Sequence, residues 1–171
     1  MEPLRTTDAF AIDFRKKFEL GDKVIVVTGA CGLVGRAFCE AISQFGGHVV
    51  AVDIPSAEPE KFAAILEERH GRKMVGVSLN VGERAEVEQL KATILSNFDR
   101  IDGLVNAHQN KSHLKFESFE CVTDDNWDTV VHINLKGTFL TCQILGSWMA
   151  ENGGGSIINI PSTYSVVAPN Q

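Results

Sequence analysis

Residues Lys23–Gly35 read KVIVVTGACGLVG, and the stretch changes character at its middle. A β-branched apolar run ends in Thr28 and passes into Gly29, Gly32 and Gly35, spaced three apart. Apolar residues at helical spacing follow directly (Leu33, Val34, Ala37, Phe38, Ala41, Ile42, Phe45). That order specifies a buried strand, a tight turn and a helix N-terminus. Free backbone N–H groups and the positive end of the helix dipole then converge on one spot, suited to a pyrophosphate. Gly29 turns the chain, Gly32 lets a phosphate approach the backbone, and Gly35 lets the helix lie close to the sheet.

Asp53 closes the next apolar run, His48-Val49-Val50-Ala51-Val52, about twenty residues past the glycine turn, the spacing of an acid that holds an adenosine ribose. A carboxylate there accepts from the ribose hydroxyls and repels a 2′-phosphate. Ala30, Cys31 and Ile54 are uncharged where a phosphate-binding Arg or Lys is expected, and Arg36 lies inside the helix. The expected cofactor is therefore NAD rather than NADP.

The 171 residues suit one domain with a real core, and 44% hydrophobic with 22% charged residues is an ordinary balance for such a domain. Sixteen basic against twenty-two acidic residues give a net charge of −6, with no basic run, which argues against nucleic-acid and anionic-membrane partners. The N-terminus MEPLRTTDAF lacks the apolar core of a signal peptide, and no apolar stretch is long enough to span a bilayer. Cys31, Cys39, Cys121 and Cys142 show no metal spacing and read as reduced thiols, so the expected location is cytoplasmic and no metal is expected.

Residues 23–28, 48–53, 73–79, 101–106 and 155–161 read as buried strands, and 33–45, 58–70, 83–98 and 124–151 carry helical periodicity. Such alternation predicts an α/β fold, a doubly wound parallel sheet of about five strands in three α/β/α layers. Residues 1–19 form a polar lead-in whose Phe10, Phe14 and Phe18 are expected to pack on the rim; 20–171 form the domain. The connection 107–123 is long for a compact domain and leaves the ligand-binding end of the fourth strand. Its His113 reads as a solvated loop residue. In 124–151, Val131, Leu135, Phe139, Cys142, Leu145 and Met149 form one apolar stripe and Val130, Ile133, Leu140, Ile144 and Trp148 a second. One stripe covers the sheet; the other calls for a partner, expected to be a second subunit in a homo-oligomer.

Over roughly residues 18–171 the chain resembles the short-chain dehydrogenase/reductase family. FELGDKVIVVTGA is similar to the family's entry into its first strand, and LVNAH at 104–108 to its Asn-Asn-Ala-Gly motif. HINLKGTF at 132–139 resembles the helix segment with the catalytic asparagine, here Asn134. GGGSIINIPSTYSVVAP at 153–169 resembles the fifth strand, with Ser162 in the place of the catalytic serine. The resemblance implies a Rossmann fold with Thr28, Gly29, Cys31, Gly32, Leu33, Val34, Gly35, Asp53, Ile54, Asn80, Val81, Asn106, Ala107 and His108 around the dinucleotide. It also implies hydride transfer between nicotinamide and a carbonyl or alcohol of a small-molecule substrate, with a sugar or glycan precursor as the suggested class.

The chain departs from the family pattern at several points. Leu33 stands where the compact branch has glycine, Asn80 where an aspartate commonly contacts adenine, and His108 replaces a glycine. The Tyr-x-x-x-Lys pair is missing. Tyr164, the only tyrosine, is followed four residues later by Ala168, and no lysine follows Lys136. A tyrosine of pKa about 10 is a poor base at neutral pH without a nearby cation. The family's tyrosine would fall beyond Gln171, so the sequence predicts the N-terminal portion of a longer enzyme. The alternatives are a dinucleotide-binding module without catalysis and, less in keeping with Thr28, Asn106 and Ser162, an S-adenosylmethionine-dependent methyltransferase.

Overall fold

A computed structural model describes residues 14–110 and 119–162; Phe10, His113, Tyr164 and Ala168 lie outside the described residues. Five strands, β1 (Val24–Thr28), β2 (His48–Asp53), β3 (Met74–Ser78), β4 (Gly103–Asn106) and β5 (Ser156–Asn159), form one parallel sheet in the order β3-β2-β1-β4-β5. The order reverses between β1 and β4, where a sheet of this kind opens a crevice beyond the C-terminal ends of its strands.

Side chains alternate along β1 and β2, so each strand feeds two cores. Val24, Val26, Val50, Val52 and Leu104 pack on one face against α4 (Arg84–Phe98) and α6 (Gly137–Glu151). Val27, Val49, Ala51 and Val105 pack on the other against α2 (Leu33–Gln44) and α3 (Pro59–His70). Strands buried on both faces explain why these runs are continuously apolar. The single-turn α1 (Phe14–Lys17) precedes them; Phe18 is exposed rather than packed on the rim.

At the entry end of the sheet Asp102 gathers the strand ends. It accepts from the Val24 N–H at 2.9 Å, from Lys23 Nζ at 3.0 Å and from Arg100 at 2.6 and 2.7 Å, while its carbonyl takes the Ser156 N–H at 3.1 Å. Burial alone would raise the Asp102 pKa; the bonds from Arg100, Val24 and Lys23 outweigh it and bring it down to about 2.

Two expectations need correction. The segment 124–151 is not one helix: α5 (Asp124–Val130), capped by Thr123, meets α6 through a π-turn over Val131–Lys136, in which the Gly137 N–H reaches back to the His132 carbonyl. The two stripes do not hold as drawn. Leu140, Ile144, Leu145 and Met149 are buried together, whereas Leu135 is 67% and Phe139 54% exposed. Two three-residue steps, Phe139 to Cys142 to Leu145, each fall about 60° short of a full turn, so the first row swings from solvent into the core. β5 is likewise an exposed strand rather than a buried one, with Ile157, Ile158 and Ile160 in solvent.

Candidate functional site: a dinucleotide groove at the sheet's switch point

The groove of about 740 Å³ opens above β1, β2 and β4, where Gly29, Gly32, Leu33, Val34 and Gly35 form one wall. Gly29 has φ +67°, and a Cβ there would lie 2.7 Å from the Ala107 carbonyl and the His108 backbone. A Cβ on Gly35 would lie 2.0 Å from the Gly29 carbonyl, so the α2 axis can pass this close only over glycine. Gly32 is different: a Cβ would meet only the Gly29 carbonyl, at 3.3 Å. Little inside the chain demands glycine there; a side chain would instead fill the space in front of the first turn of α2. The residues present thus fit a phosphate group, with helix N–H donors and dipole behind it.

Asp53, at the tip of β2, accepts the Cys31 N–H at 2.9 Å and the Ile54 N–H at 2.8 Å. These bonds hold the carboxylate on the groove wall beside Ile54 and leave acceptor capacity for ribose hydroxyls. Burial, and then the Asp53 charge, push the Cys31 thiol up to about 11, which leaves it protonated and unreactive at neutral pH. On the far wall lie Asn80 and Val81. The Asn80 side chain accepts the Gly82 N–H at 3.0 Å and its own N–H donates to Glu86 at 2.7 Å, which fixes the turn after β3.

Ala107 and His108 form the floor. Thr28 Oγ1 lies 2.7 Å from His108 Nδ1, and the other side of the ring faces the π-turn, bonding the Ile133 backbone with Thr138 Oγ1 3.4 Å from Nε2. Burial pushes the His108 pKa down against that bond and the Asp53 charge, so the ring is neutral. A neutral ring bonding a carbonyl through Nε2–H must accept at Nδ1, and Thr28 supplies the proton.

Thr28 and Asn106 lie beneath the groove rather than on it, both buried. The Asn106 amide donates to Asn159 Oδ1 at 2.8 Å and to Cys142 Sγ at 3.4 Å, and accepts from Thr141 at 2.9 Å, with Thr28 Oγ1, whose proton goes to His108, 3.3 Å from its Oδ1. Asn134 sits in the π-turn; its side chain accepts the Asn110 N–H at 2.7 Å and donates to the Asn110 carbonyl at 3.4 Å. Ser162 follows β5 and is exposed. Val52, Leu79, Gln109, Asn110 and Ile133 also line the groove. Sequence reading missed them because they are apolar or loop residues without a motif of their own, and only the π-turn brings Ile133 around.

The family model for short chain dehydrogenase matches residues 23–171. The chain belongs to the short-chain dehydrogenase family. Within it, the chain is 34% identical over 155 residues to the NAD-dependent glycerol dehydrogenase of Listeria innocua, covering 91% of this chain and 58% of that one. It is 35% identical over 161 residues to the D-threitol dehydrogenase of Mycolicibacterium smegmatis, covering 94% and 60%. An NAD+-bound xylitol dehydrogenase structure superposes with a TM-score of 0.81 at 25% identity, over 88% of this chain and 57% of that one. This short-chain dehydrogenase chain thus spans under two thirds of the length of these relatives. Among its described residues no helix is long and apolar enough to cross a membrane.

Proposed function

We propose that the chain forms the NAD-binding part of an oxidoreductase acting on a small polyol or the matching carbonyl compound. The observation that carries this is the Gly32 cradle at the start of α2, facing the Asp53 carboxylate across one groove. The three dehydrogenase relatives supply the substrate class, since their names specify glycerol, D-threitol and xylitol. NAD is favoured over NADP because a carboxylate, held by two N–H groups, stands where a 2′-phosphate would have to lie. When bound, the nicotinamide supplies or accepts the hydride. Thr28, Asn80, Ala107 and His108 shape the space around the dinucleotide, Asn134 braces the loop at Asn110, and Ser162 would hydrogen-bond the reacting oxygen.

NADH fluorescence titration with Asp53→Ala as control tests binding: saturable binding that weakens in the variant is expected, and no binding refutes the reading. Oxidation of glycerol, threitol or xylitol with NAD tests chemistry, and Ser162→Ala should slow it strongly. A second reading, a dinucleotide-binding module without catalysis, rests on the same groove. It predicts NADH binding with no turnover of any of these alcohols. We further assign a cytoplasmic homo-oligomer, with exposed Leu135 and Phe139 of the segment 124–151 as the contact.

A further inference from the structure

Arg36 lies one residue past Gly35, and its place on a helix gives it no ligand. Its side chain folds back over the glycine turn. Nε donates to the Cys31 carbonyl at 2.7 Å, and the guanidinium carbon lies 5.1 Å from the Phe62 ring centre on α3. The residue is exposed, and among the described residues no carboxylate pairs with it. Cys31 is also the residue whose N–H holds Asp53 Oδ2, while Ile54 N–H holds Oδ1. The Asp53 carboxylate therefore sits on two backbone donors, with a guanidinium anchored to the same short turn.

Donors of this kind beside a cation are what an anion site consists of, and here the anion is part of the chain. We propose that Arg36 is a second determinant of cofactor choice. With the N–H groups of Cys31 and Ile54 it forms an anion site that Asp53 fills from within, and that takes the 2′-phosphate of a phosphorylated dinucleotide once the carboxylate is removed. Without the carboxylate, two N–H groups lose their acceptor beside a guanidinium that has no ion pair among the described residues; phosphate oxygens satisfy both, and a planar guanidinium suits them. The inference rests on the dinucleotide reading above and goes beyond it by assigning a role to a residue outside the groove wall.

The test compares NADH and NADPH binding by fluorescence in the wild type, in Asp53→Ser, and in Asp53→Ser combined with Arg36→Met. Methionine keeps an unbranched stem over Phe62 and removes the charge. The NADPH-to-NADH affinity ratio is expected to rise roughly tenfold or more in Asp53→Ser and to fall back by a similar factor in the double variant. The gain should also shrink with added salt, as an exposed charge contact does. A flat ratio in Asp53→Ser, or a gain that survives Arg36→Met, overturns the proposal. If circular dichroism shows Asp53→Ser unfolded, Asp53→Asn, which keeps the side chain's shape, is read by the same two criteria. A wild type that binds neither dinucleotide refutes the dinucleotide reading itself; one that binds NADH while the ratio stays flat refutes only the role of Arg36.

Discussion

Gly32 and Gly35 sit three residues apart in one motif but are glycine for different reasons, and substitution separates them. Alanine at Gly35 puts a methyl 2.0 Å from a backbone carbonyl that cannot yield as a side chain would, so α2 must lift from β1. The expected cost is about 3 kcal/mol or more, seen as a drop of roughly 6–12 °C in thermal unfolding. Alanine at Gly32 meets one atom at 3.3 Å and has an extended backbone that alanine adopts freely. Its melting temperature should stay within about 3 °C of wild type while NADH affinity falls. Equal destabilisation by both would refute the cradle. Asn106 shows what a motif conceals. Sequence reading assigns it to the cofactor, and in the structure its amide bonds Asn159 in the sheet and Thr141 and Cys142 on α6; Asn106→Ala should cost about 2–3 kcal/mol by urea unfolding. Arg36 is the opposite case, since a position on a helix does not say where a long side chain folds.

The π-turn is the element that sequence periodicity could not show. The segment 124–151 fits a helix so well by composition that nothing marks the extra residue at Val131–Lys136. Yet the turn brings Asn134 to the backbone of Asn110 and Ile133 to the groove. Asn134→Ala is therefore expected to speed hydrogen exchange of the Asn110 amide roughly tenfold or more, a loss of about 1.4 kcal/mol of local protection, with little change at Val26 or Val50 in the sheet. Asp102 acts on three strands at once, and its effect has a definite pH window. Its folded pKa of about 2 lies below the ordinary 3.8, so its stabilisation is complete above about pH 4 and lost as pH falls toward 2. The shift corresponds to about 2 kcal/mol. Urea unfolding of wild type and Asp102→Asn should differ by that amount at pH 6 and converge near pH 2. The strands, the order of elements and the glycine turn were legible because period-two and period-3.6 apolar patterns are local properties. Which face of β5 is covered is not local, and there the sequence suggests burial that the structure does not show.

At the scale of the molecule the two edges of the sheet differ. On β3, Glu60 accepts the Ser78 N–H at 2.8 Å and Glu67 the Met74 N–H at 2.9 Å, so helix α3 blocks outward-facing donors with carboxylates. Of the acids lining the hollow of about 560 Å³ along this flank, Glu60 and Glu67 are the two committed to the strand. Replacing Glu60 and Glu67 together with alanine should expose a pairing edge and raise the scattering mass over hours at micromolar protein, whereas the parent stays constant. On the opposite side Leu135 and Phe139 lie open on the helical layer. Phe139→Glu is expected to shift a sizing profile to the monomer; an unchanged profile, or a wild type already monomeric, would refute the assigned contact.

The row Thr28, Asn106, Asn159 crosses three neighbouring strands at one register position, each residue paired to the next. In the two rows below it the partners are valine, isoleucine and leucine, so sliding any strand by one residue would set an amide or hydroxyl against hydrocarbon with nothing to bond. The row therefore works as a gauge, and the backbone of Gly29, Ala107 and Ile160 leaves the sheet at a common level. The groove owes the level of its floor to a line of polar side chains that are not among its lining residues.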